Sequence, residues 1–533
     1  MDRAIKRIQP DTLRAALHDG AEIALLDPRE EGIFNDRHLL FAACAPIGRL
    51  EILIGDMVPR PNVRAVWCDN GEGLAEKAAH RMLALGYTDV AILEDGIDAW
   101  EAAGYPVYSG VHVPSKAFAE VVEHEAGTPH MTAEDLQAMI ERKADIAIFD
   151  TRSYEEFHEN SIPEATSAPG VELVYRFKDL VPSPETLVVV NCGGRTRSII
   201  GAQALINAGV PNRVMSLKNG TQAWHLAGYQ VVKGATRRVP AISAAAAAAA
   251  QAYRERFARL AGIQEIDAAT FSRWKGETDR RTLYMIDVRT AEEYEAGHAP
   301  GARHVAGGQL VQETDRHMAV WGARIVLFDD DGIRATITAS WLKQMGWDVV
   351  TMRNADLDST LQTGKYRAQV LGLDGIDVQT VKPMELQAWL STGTATVVDL
   401  GISKSYRSSH IPGAWFALRS RLDTDLAKIV RAQRLVFTSP DGVLAQLAAA
   451  EHADAAADVR ALDGGTDAWR AANLPMEAGE TRMASEAVDL RLRAREQNTD
   501  IEAAMRAYLT WEINLVNQME EDRDHRFQVI TPA

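Results

Sequence analysis

The stretch "VVVNCGGRTRSIIGAQAL", residues 188–205, decides how this chain folds. β-Branched residues lead into a short loop that holds one cysteine, two glycines and two arginines, and a helical pattern follows at once. A short buried strand that runs into a helix is typical of a parallel α/β sheet. In such sheets ligands bind at the carboxyl ends of the strands, so we expect Cys192 to lie at that edge.

The composition is that of a globular protein with several domains. A chain of 533 residues is too long for one hydrophobic core, and about three to five units are expected. A net charge of −17 argues against nucleic acid as a partner, because phosphate binding needs a basic face. An anionic substrate would therefore have to be attracted locally, against the overall field.

Three cysteines cannot form a disulfide framework, and no Cys/His cluster has zinc spacing, so we expect neither a metal site nor a cofactor. The opening residues "MDRAIKRIQPDTL" lack the apolar core of a signal peptide. The most apolar run, "ISAAAAAAAQAY", is far shorter than the roughly 20 residues that cross a bilayer. These features predict a cytoplasmic protein with no membrane partner.

One pattern occurs four times along the chain. An apolar strand ends in aspartate and a polar turn follows; the four aspartates are Asp27, Asp150, Asp287 and Asp399. A second strand ends about 40 residues later, at Cys68, Cys192, Asp329 and Ser439 respectively. A helix, a third strand and a signature such as "NGTQAWHLAGY" complete each copy, although the third copy has lost the tryptophan. Repetition at this scale predicts tandem domains.

The repeats divide the chain into four α/β units with helical connections. The predicted boundaries are 1–110, 129–235, 263–370 and 371–480 for the units, 236–262 for a helical linker and 481–533 for a helical tail. The tail is expected to pack across domains or across a homodimer, and the sequence leaves both alternatives open.

Taken together, the Asp turn, the cysteine loop and the tryptophan signature resemble the rhodanese (thiosulfate sulfurtransferase) family in a form with four tandem domains. The resemblance covers roughly residues 1–480. It implies an α/β fold in which each domain is a parallel sheet flanked by helices, followed here by the helical tail. It also implies transfer of a sulfane sulfur from thiosulfate, or a similar donor, through a cysteine persulfide to cyanide or a thiol.

The cysteine loop departs from the family pattern in places. Many single-domain members have a loop like C-x-x-G-x-R-S; Cys192, Arg197 and Ser198 match it, and Arg195 replaces the glycine. Vertebrate-type members also use basic residues just after the Asp turn and two positions after the cysteine. The corresponding residues here are Glu156 and Gly194, so we expect the cationic help to come from the two loop arginines.

Cys192 is the predicted nucleophile, because sulfur transfer needs a thiolate and a free thiol is only a few per cent ionised at neutral pH. Backbone amides of the loop and the helix N-terminus should cradle the anion, and Arg195 and Arg197 should lower the thiol pKa further. The predicted substrate-binding residues are Gly193, Gly194, Arg195, Thr196, Arg197 and Ser198. Asp150, Arg152 and Trp224 are expected to support the loop.

The other three loops are expected to be weak or silent. Cys68 is a candidate secondary site, but Asp69 and Glu72 oppose both a thiolate and an anionic donor. The third loop has Asp329, whose carboxylate cannot form a persulfide, and the fourth has Ser439, which is a poor sulfur nucleophile without a base.

Two alternatives remain at this stage. One is a scaffold or sulfur-relay binding protein built from the silent units. The other is a rhodanese-like phosphatase or arsenate reductase, which the short loop disfavours. The physiological donor also stays open among thiosulfate, 3-mercaptopyruvate, glutathione persulfide and a protein persulfide.

Overall fold

Four β-sheets, one in each repeat, form the framework of the computed structural model, which describes residues 5–453, 458–497, 500–522 and 524–531. The second sheet contains, from edge to edge, the strands His130–Met131, Val214–Leu217, Leu187–Asn191, Ile146–Asp150 and Thr166–Ser167. The fourth contains Thr380–Val381, Asp458–Leu462, Arg434–Thr438, Ala395–Asp399 and Trp415–Phe416. Every strand pair in these two sheets is parallel.

A short strand of the third repeat pairs with the first sheet. The third contains Arg303–His304, Leu283–Asp287, Arg324–Asp329 and Asp348–Arg353, all parallel. The first contains Lys6–Ile8, Val90–Leu93, Arg64–Trp67 and Ile23–Asp27, with Ala43–Cys44 beside the last of these. Val320–Trp321 of the third repeat extends this first sheet as an antiparallel edge strand, so these two units are joined through main-chain hydrogen bonds.

Helices flank each sheet, as the alternation of strand and helix patterns predicted. In the first two units they are Pro10–His18, Glu31–Phe34, Leu50–Met57, Leu74–Ala84, Gly96–Ala102, Ala133–Glu141, Tyr154–Glu159, Glu172–Tyr175, Phe177–Leu180, Thr196–Ala208 and Gly220–Leu226. In the last two they are Ala268–Lys275, Ala291–Ala296, Gly307–Gln312, Thr314–His317, Ile333–Gln344, Pro383–Ser391, Ser403–Ser408, Leu422–Asp425, Val443–Glu451 and Gly465–Ala471. This arrangement of four parallel α/β units confirms the predicted fold class.

Three longer helices lie outside the four units. They are a linker helix, Val113–Ala126, a second linker, Ala244–Ala261, and a tail helix, Ile501–Asp522. The tail helix lies along the first linker helix of the same chain. Within the described ranges, no helix combines the length and the apolar character that crossing a bilayer requires.

The tryptophan signature serves the fold of each unit that has it. Trp100, Trp224 and Trp469 are buried, and each indole N–H donates to a backbone carbonyl oxygen six residues later, at 2.9–3.0 Å. A buried indole needs such a partner for its N–H. The hydrogen bond fixes the last helix of the unit against the chain that leaves the unit.

Close backbone contact joins the second and third units. A Cβ atom on Gly308 would lie 2.6 Å from the Cα atom of Gly170, so neither position has room for a side chain. The two helical regions can therefore approach only through glycine.

We predict that Gly308→Ala destabilises the protein by about 1–3 kcal/mol, because the added methyl group overpacks this contact. Gly375→Ala is the matched control, since nothing lies within 4 Å of a Cβ there, and it should change stability by less than about 0.5 kcal/mol. Urea unfolding followed by tryptophan fluorescence measures both. Equal stability of the two variants would contradict the contact.

Candidate active site

Cys192 lies where the buried strand Leu187–Asn191 is followed by a short loop and the helix Thr196–Ala208. All five residues of the strand are buried, as expected for a central strand covered on both faces. Asp150, the last residue of the neighbouring strand, pairs in register with Asn191. The Asp turn and the cysteine loop therefore share one carboxyl edge of the sheet.

The signature after the third strand holds the loop in shape. Gly220 has a φ of +55°, and a Cβ atom there would lie 2.4 Å from the carbonyl oxygen of Cys192. The backbone amides of Thr221 and Gln222 donate to the carbonyl oxygens of Cys192 and Gly193, at 2.9 and 3.1 Å. Only glycine permits this approach, so the "NG" pair of the signature shapes the loop.

The thiol of Cys192 is buried, with 2% of the residue exposed, and its Sγ lies 3.5 Å from the Ser198 Oγ. Burial raises the pKa of the thiol, and Glu512 raises it further. Arg197 lowers it, and so do the interactions with Ser198, whose Oγ accepts a hydrogen bond from the Cys192 thiol and donates to the Arg195 carbonyl oxygen at 2.8 Å. The expected depression of the pKa is not what the structure shows, because desolvation outweighs the charge and the hydrogen bonds.

Arg195 does not supply free charge to the loop, contrary to expectation. It is 4% exposed and forms ion pairs with Glu120, at 2.7 Å, and with Glu123 of the first linker helix. It also donates to the Asn219 Oδ1 at 3.0 Å. Two carboxylates neutralise this guanidinium, and the residue fastens the cysteine loop to the linker helix.

Arg197 is also paired with a carboxylate, but it lies closer to the cavity. Its guanidinium pairs with Glu156 through contacts of 2.6 and 3.0 Å and donates to the Gln309 Oε1 of the third unit at 3.3 Å. It lines the cavity beside the loop, and its charge opposes the effect of burial on the Cys192 pKa.

The predicted supporting residues lie behind the loop. Arg152 donates to both carboxylate oxygens of Asp150 at 2.7–3.1 Å, and the Asn191 Nδ2 donates to the same carboxylate at 3.1 Å. Asp150 is fully buried, and Trp224 is 1% exposed. The Asp–Arg pair braces the turn, and the edge of Arg152 also reaches the cavity.

A cavity of about 650 Å³ opens beside the cysteine loop, and Gly193, Gly194 and Arg197 form part of its wall. The remaining wall comes from every unit and from the tail, for example Glu31, Arg316, Lys404 and Arg491. The site is therefore composite, although Cys192 belongs to the second unit.

The cavity is positively charged within a negatively charged chain. Eight lysines and arginines but six glutamates line it, whereas the chain carries a net charge of −17. Across the part of the chain that the structure describes, no group of three or more His, Cys, Asp or Glu side chains is placed to hold a metal ion.

The tail helix covers the loop at Gly194. A Cβ atom on Gly194 would lie 3.1 Å from the Glu512 Oε2 and 3.3 Å from the Tyr508 Cε1. Thr196, which was expected to bind substrate, donates through its hydroxyl to the Glu512 Oε1 at 2.8 Å. The sequence analysis missed these tail residues and Lys116. Tyr508 and Glu512 lie one helical turn apart, which indicates a shared helix face but not what that face meets.

In the first unit, the backbone amides at the equivalent junction donate hydrogen bonds to a carboxylate. Asp69 accepts hydrogen bonds from the amides of Gly71 and Ala75, both at 2.9 Å. The thiol of Cys68 is fully buried, and burial raises its pKa well above the usual value. Cys68 therefore lies beside the amide cradle and not within it.

In the third and fourth units, an oxygen occupies the position of the sulfur. The Asp329 carboxylate accepts from the amides of Gly332 and Ala335, at 2.6 and 3.0 Å. The Ser439 Oγ accepts from the amide of Ala445 at 3.3 Å. Ala335 and Ala445 are each the sixth residue after the position of the cysteine, as Ser198 is after Cys192. The strand–helix junction thus presents the same amide in each case.

Comparison with known proteins agrees with this geometry. The family described as "Rhodanese-like domain" matches residues 9–103, 132–227, 268–355 and 382–472. A crystal structure of a thiosulfate sulfurtransferase from Pseudomonas aeruginosa is 46% identical to this chain. It covers 99% of this chain and 100% of its own, with a TM-score of 0.93.

Other solved structures resemble parts of the chain. A rhodanese-related protein from Thermoplasma volcanium is 25% identical and covers 20% of this chain and 97% of its own, with a TM-score of 0.18. The 3-mercaptopyruvate sulfotransferase SseA from Escherichia coli is 18% identical and covers 42% of this chain and 98% of its own, with a TM-score of 0.22. Since the family matches four segments that together make up more than half of the sequence, this chain belongs to the rhodanese family and contains four rhodanese-like domains.

Proposed function

We propose that the protein is a sulfurtransferase in which Cys192 carries sulfur from thiosulfate to a thiophilic acceptor. The observation that carries this proposal is the position of the thiol, at an amide-lined strand–helix junction beside a net cationic cavity. The likeness to a thiosulfate sulfurtransferase over the whole chain supports the donor. The cationic lining also suits a dianion.

In the first half-reaction, the thiolate of Cys192 attacks the outer sulfur of thiosulfate. A new S–S bond forms, the S–S bond of the donor breaks, and sulfite leaves with the electron pair. The Ser198 amide and Arg197 stabilise negative charge at the cysteine.

In the second half-reaction, the acceptor attacks the outer sulfur of the Cys192 persulfide. Cyanide forms a bond to that sulfur, the S–S bond breaks, and thiocyanate leaves while the Cys192 thiolate is restored. A thiol acceptor would leave as a persulfide in the same way. Burial beneath the tail keeps water away from the persulfide between the two steps.

The other three domains are proposed to be catalytically silent. Asp69, Asp329 and Ser439 occupy the junction amides of the first, third and fourth domains. Of these domains only the first has a cysteine at its loop, and Cys68 has a carboxylate neighbour and a thiol whose pKa is raised well above the usual value, chiefly by burial.

We predict that Cys192→Ser lowers sulfur transfer from thiosulfate to cyanide by more than about 1000-fold, because it removes the nucleophile. Cys68→Ser is the matched control and should retain at least about half of the activity. Mass spectrometry after treatment with thiosulfate alone should find one added sulfur on the Cys192 peptide. Activity retained in Cys192→Ser, or sulfur found mainly on Cys68, would overturn the assignment.

We also predict that persulfide formation accelerates as the pH rises through neutrality. Burial raises the pKa of the Cys192 thiol, so the thiolate fraction grows about tenfold per pH unit until the pH reaches that pKa. Glu512→Gln removes a negative charge that raises this pKa, so its rate profile should shift to lower pH. Single-turnover sulfite release between about pH 6 and 10 measures the shift.

Glu502→Gln provides the control, because Glu502 lies on the same tail helix and pairs with Arg506 in solvent. Its profile should match that of the unmodified protein. A rate that is already independent of pH at neutrality would show that the thiol is ionised there, contrary to the prediction.

A further inference from the structure

Four of the eight cations in the cavity, Lys116, Arg491, Arg493 and Arg495, come from outside the four family-matched segments. Lys116 lies in the linker between the first two segments, and Arg491 lies in the tail after the last segment. The positions where vertebrate-type members of the family have basic residues hold Glu156 and Gly194 here. We propose that Lys116 and Arg491 form the subsite that holds the sulfonate end of the sulfur donor, an inference that rests on the proposed sulfurtransferase activity.

Lys116 is a buried cation with no carboxylate partner in the described parts of the chain. It is 4% exposed and lines the cavity. Its Nζ lies 5.5 Å from the ring centre of Tyr508 and 5.1 Å from that of Trp511, both in the tail helix. Among the residues that the structure describes, no carboxylate lies within ion-pair distance of this ammonium group. A buried ammonium group is costly unless it is paired, so a ligand that brings negative charge would complete the site.

The pKa of Lys116 is lowered, which indicates that too little negative charge surrounds its ammonium group. Burial, followed by the charge of Arg491, lowers the pKa of Lys116 to about 7. Glu512, Asp315 and Glu313 raise it but do not offset the burial. An anion bound beside the ammonium group would favour its charged form.

Arg491 lies beside the same two aromatic rings. Its guanidinium carbon lies 4.8 Å from the ring centre of Tyr508 and 5.8 Å from that of Trp511. The backbone amide of Arg491 donates to the Glu31 carboxylate at 3.0 Å, which fixes this part of the tail against the first domain. Within the described chain its guanidinium forms no ion pair with a carboxylate. The rings of Tyr508 and Trp511 form an aromatic platform that carries both cations. Lys116 and Arg491 repel each other there, and an oxyanion that contacts both would offset that repulsion.

Tyr508 connects this platform to the cysteine loop. Its Cε1 would lie 3.3 Å from a Cβ atom on Gly194, two residues after Cys192. A Cβ atom at position 194 would already be in tight contact with Tyr508 and Glu512, so the tail takes up the space beside Gly194, and it supplies Arg491 to the cavity. An oxyanion held by Lys116 and Arg491 would have its sulfur end toward the loop of Cys192.

The test uses the full-length variants Lys116→Met and Arg491→Met. Each should raise the KM for thiosulfate about 10- to 100-fold, the loss expected for one charged hydrogen bond, and change kcat by less than about threefold. The KM for cyanide should not change, because cyanide has no oxyanion group. Lys404→Met is the control: Lys404 lines the same cavity but pairs with Glu496, so its KM for thiosulfate should stay within about twofold.

Calorimetry with thiosulfate on a Cys192→Ser background separates binding from chemistry. Adding Lys116→Met should weaken binding by a similar factor, and Lys116→Arg, which keeps the charge, should restore most of it. Unchanged thiosulfate binding in the Lys116→Met and Arg491→Met backgrounds would overturn the subsite while leaving sulfur transfer intact. A change confined to the KM of a thiol acceptor would overturn the assignment to the donor. Absence of sulfur transfer in the unmodified protein would instead refute the proposed function, and thiosulfate binding would still decide the subsite.

Discussion

Backbone amides at the junction of a central strand with its helix hold the side chain that each domain places at the end of that strand. Asp329 and Ser439 accept an amide hydrogen bond from the sixth residue after them, and Ser198 holds the same position after Cys192. The donors belong to the main chain, so the junction persists when the side chain changes. Chemistry therefore follows from which atom each domain places there: sulfur in the second domain, and carboxylate or hydroxyl oxygen in the others.

The three remaining domains have a structural part in the site even though their junctions hold oxygen. Gln309 and Arg316 of the third domain and Lys404 of the fourth line the cavity beside the Cys192 loop. Val320–Trp321 joins the third domain to the first sheet, and Gly170 meets Gly308 between the second and third domains. These contacts hold the walls at fixed positions around one reactive sulfur.

Some of the cations near Cys192 form ion pairs with carboxylates of the protein, and others are available to bind a ligand. Arg195 is neutralised by Glu120 and Glu123, and such buried pairs set geometry more than they add stability. Arg197 is paired with Glu156 yet still acts on the thiol, and Lys116 has no carboxylate partner among the described residues. Burial opposes ionisation of Cys192, so the covered site gains protection from water at the expense of thiolate at neutral pH.

The fourfold repeat, the parallel α/β fold and the place of Cys192 at the end of a strand could be predicted from the sequence, because strand and helix periodicity and the spacing from Asp150 can be read along the chain. The sequence could not show that Arg195 meets Glu120 and Glu123 of the first linker helix, because that contact joins residues more than 70 positions apart. Only the tertiary structure brought Lys116, Arg491, Tyr508 and Glu512 to the cysteine loop. The reason is physical: burial and long-range contact set the charge and coverage of the site, and neither is written in local spacing.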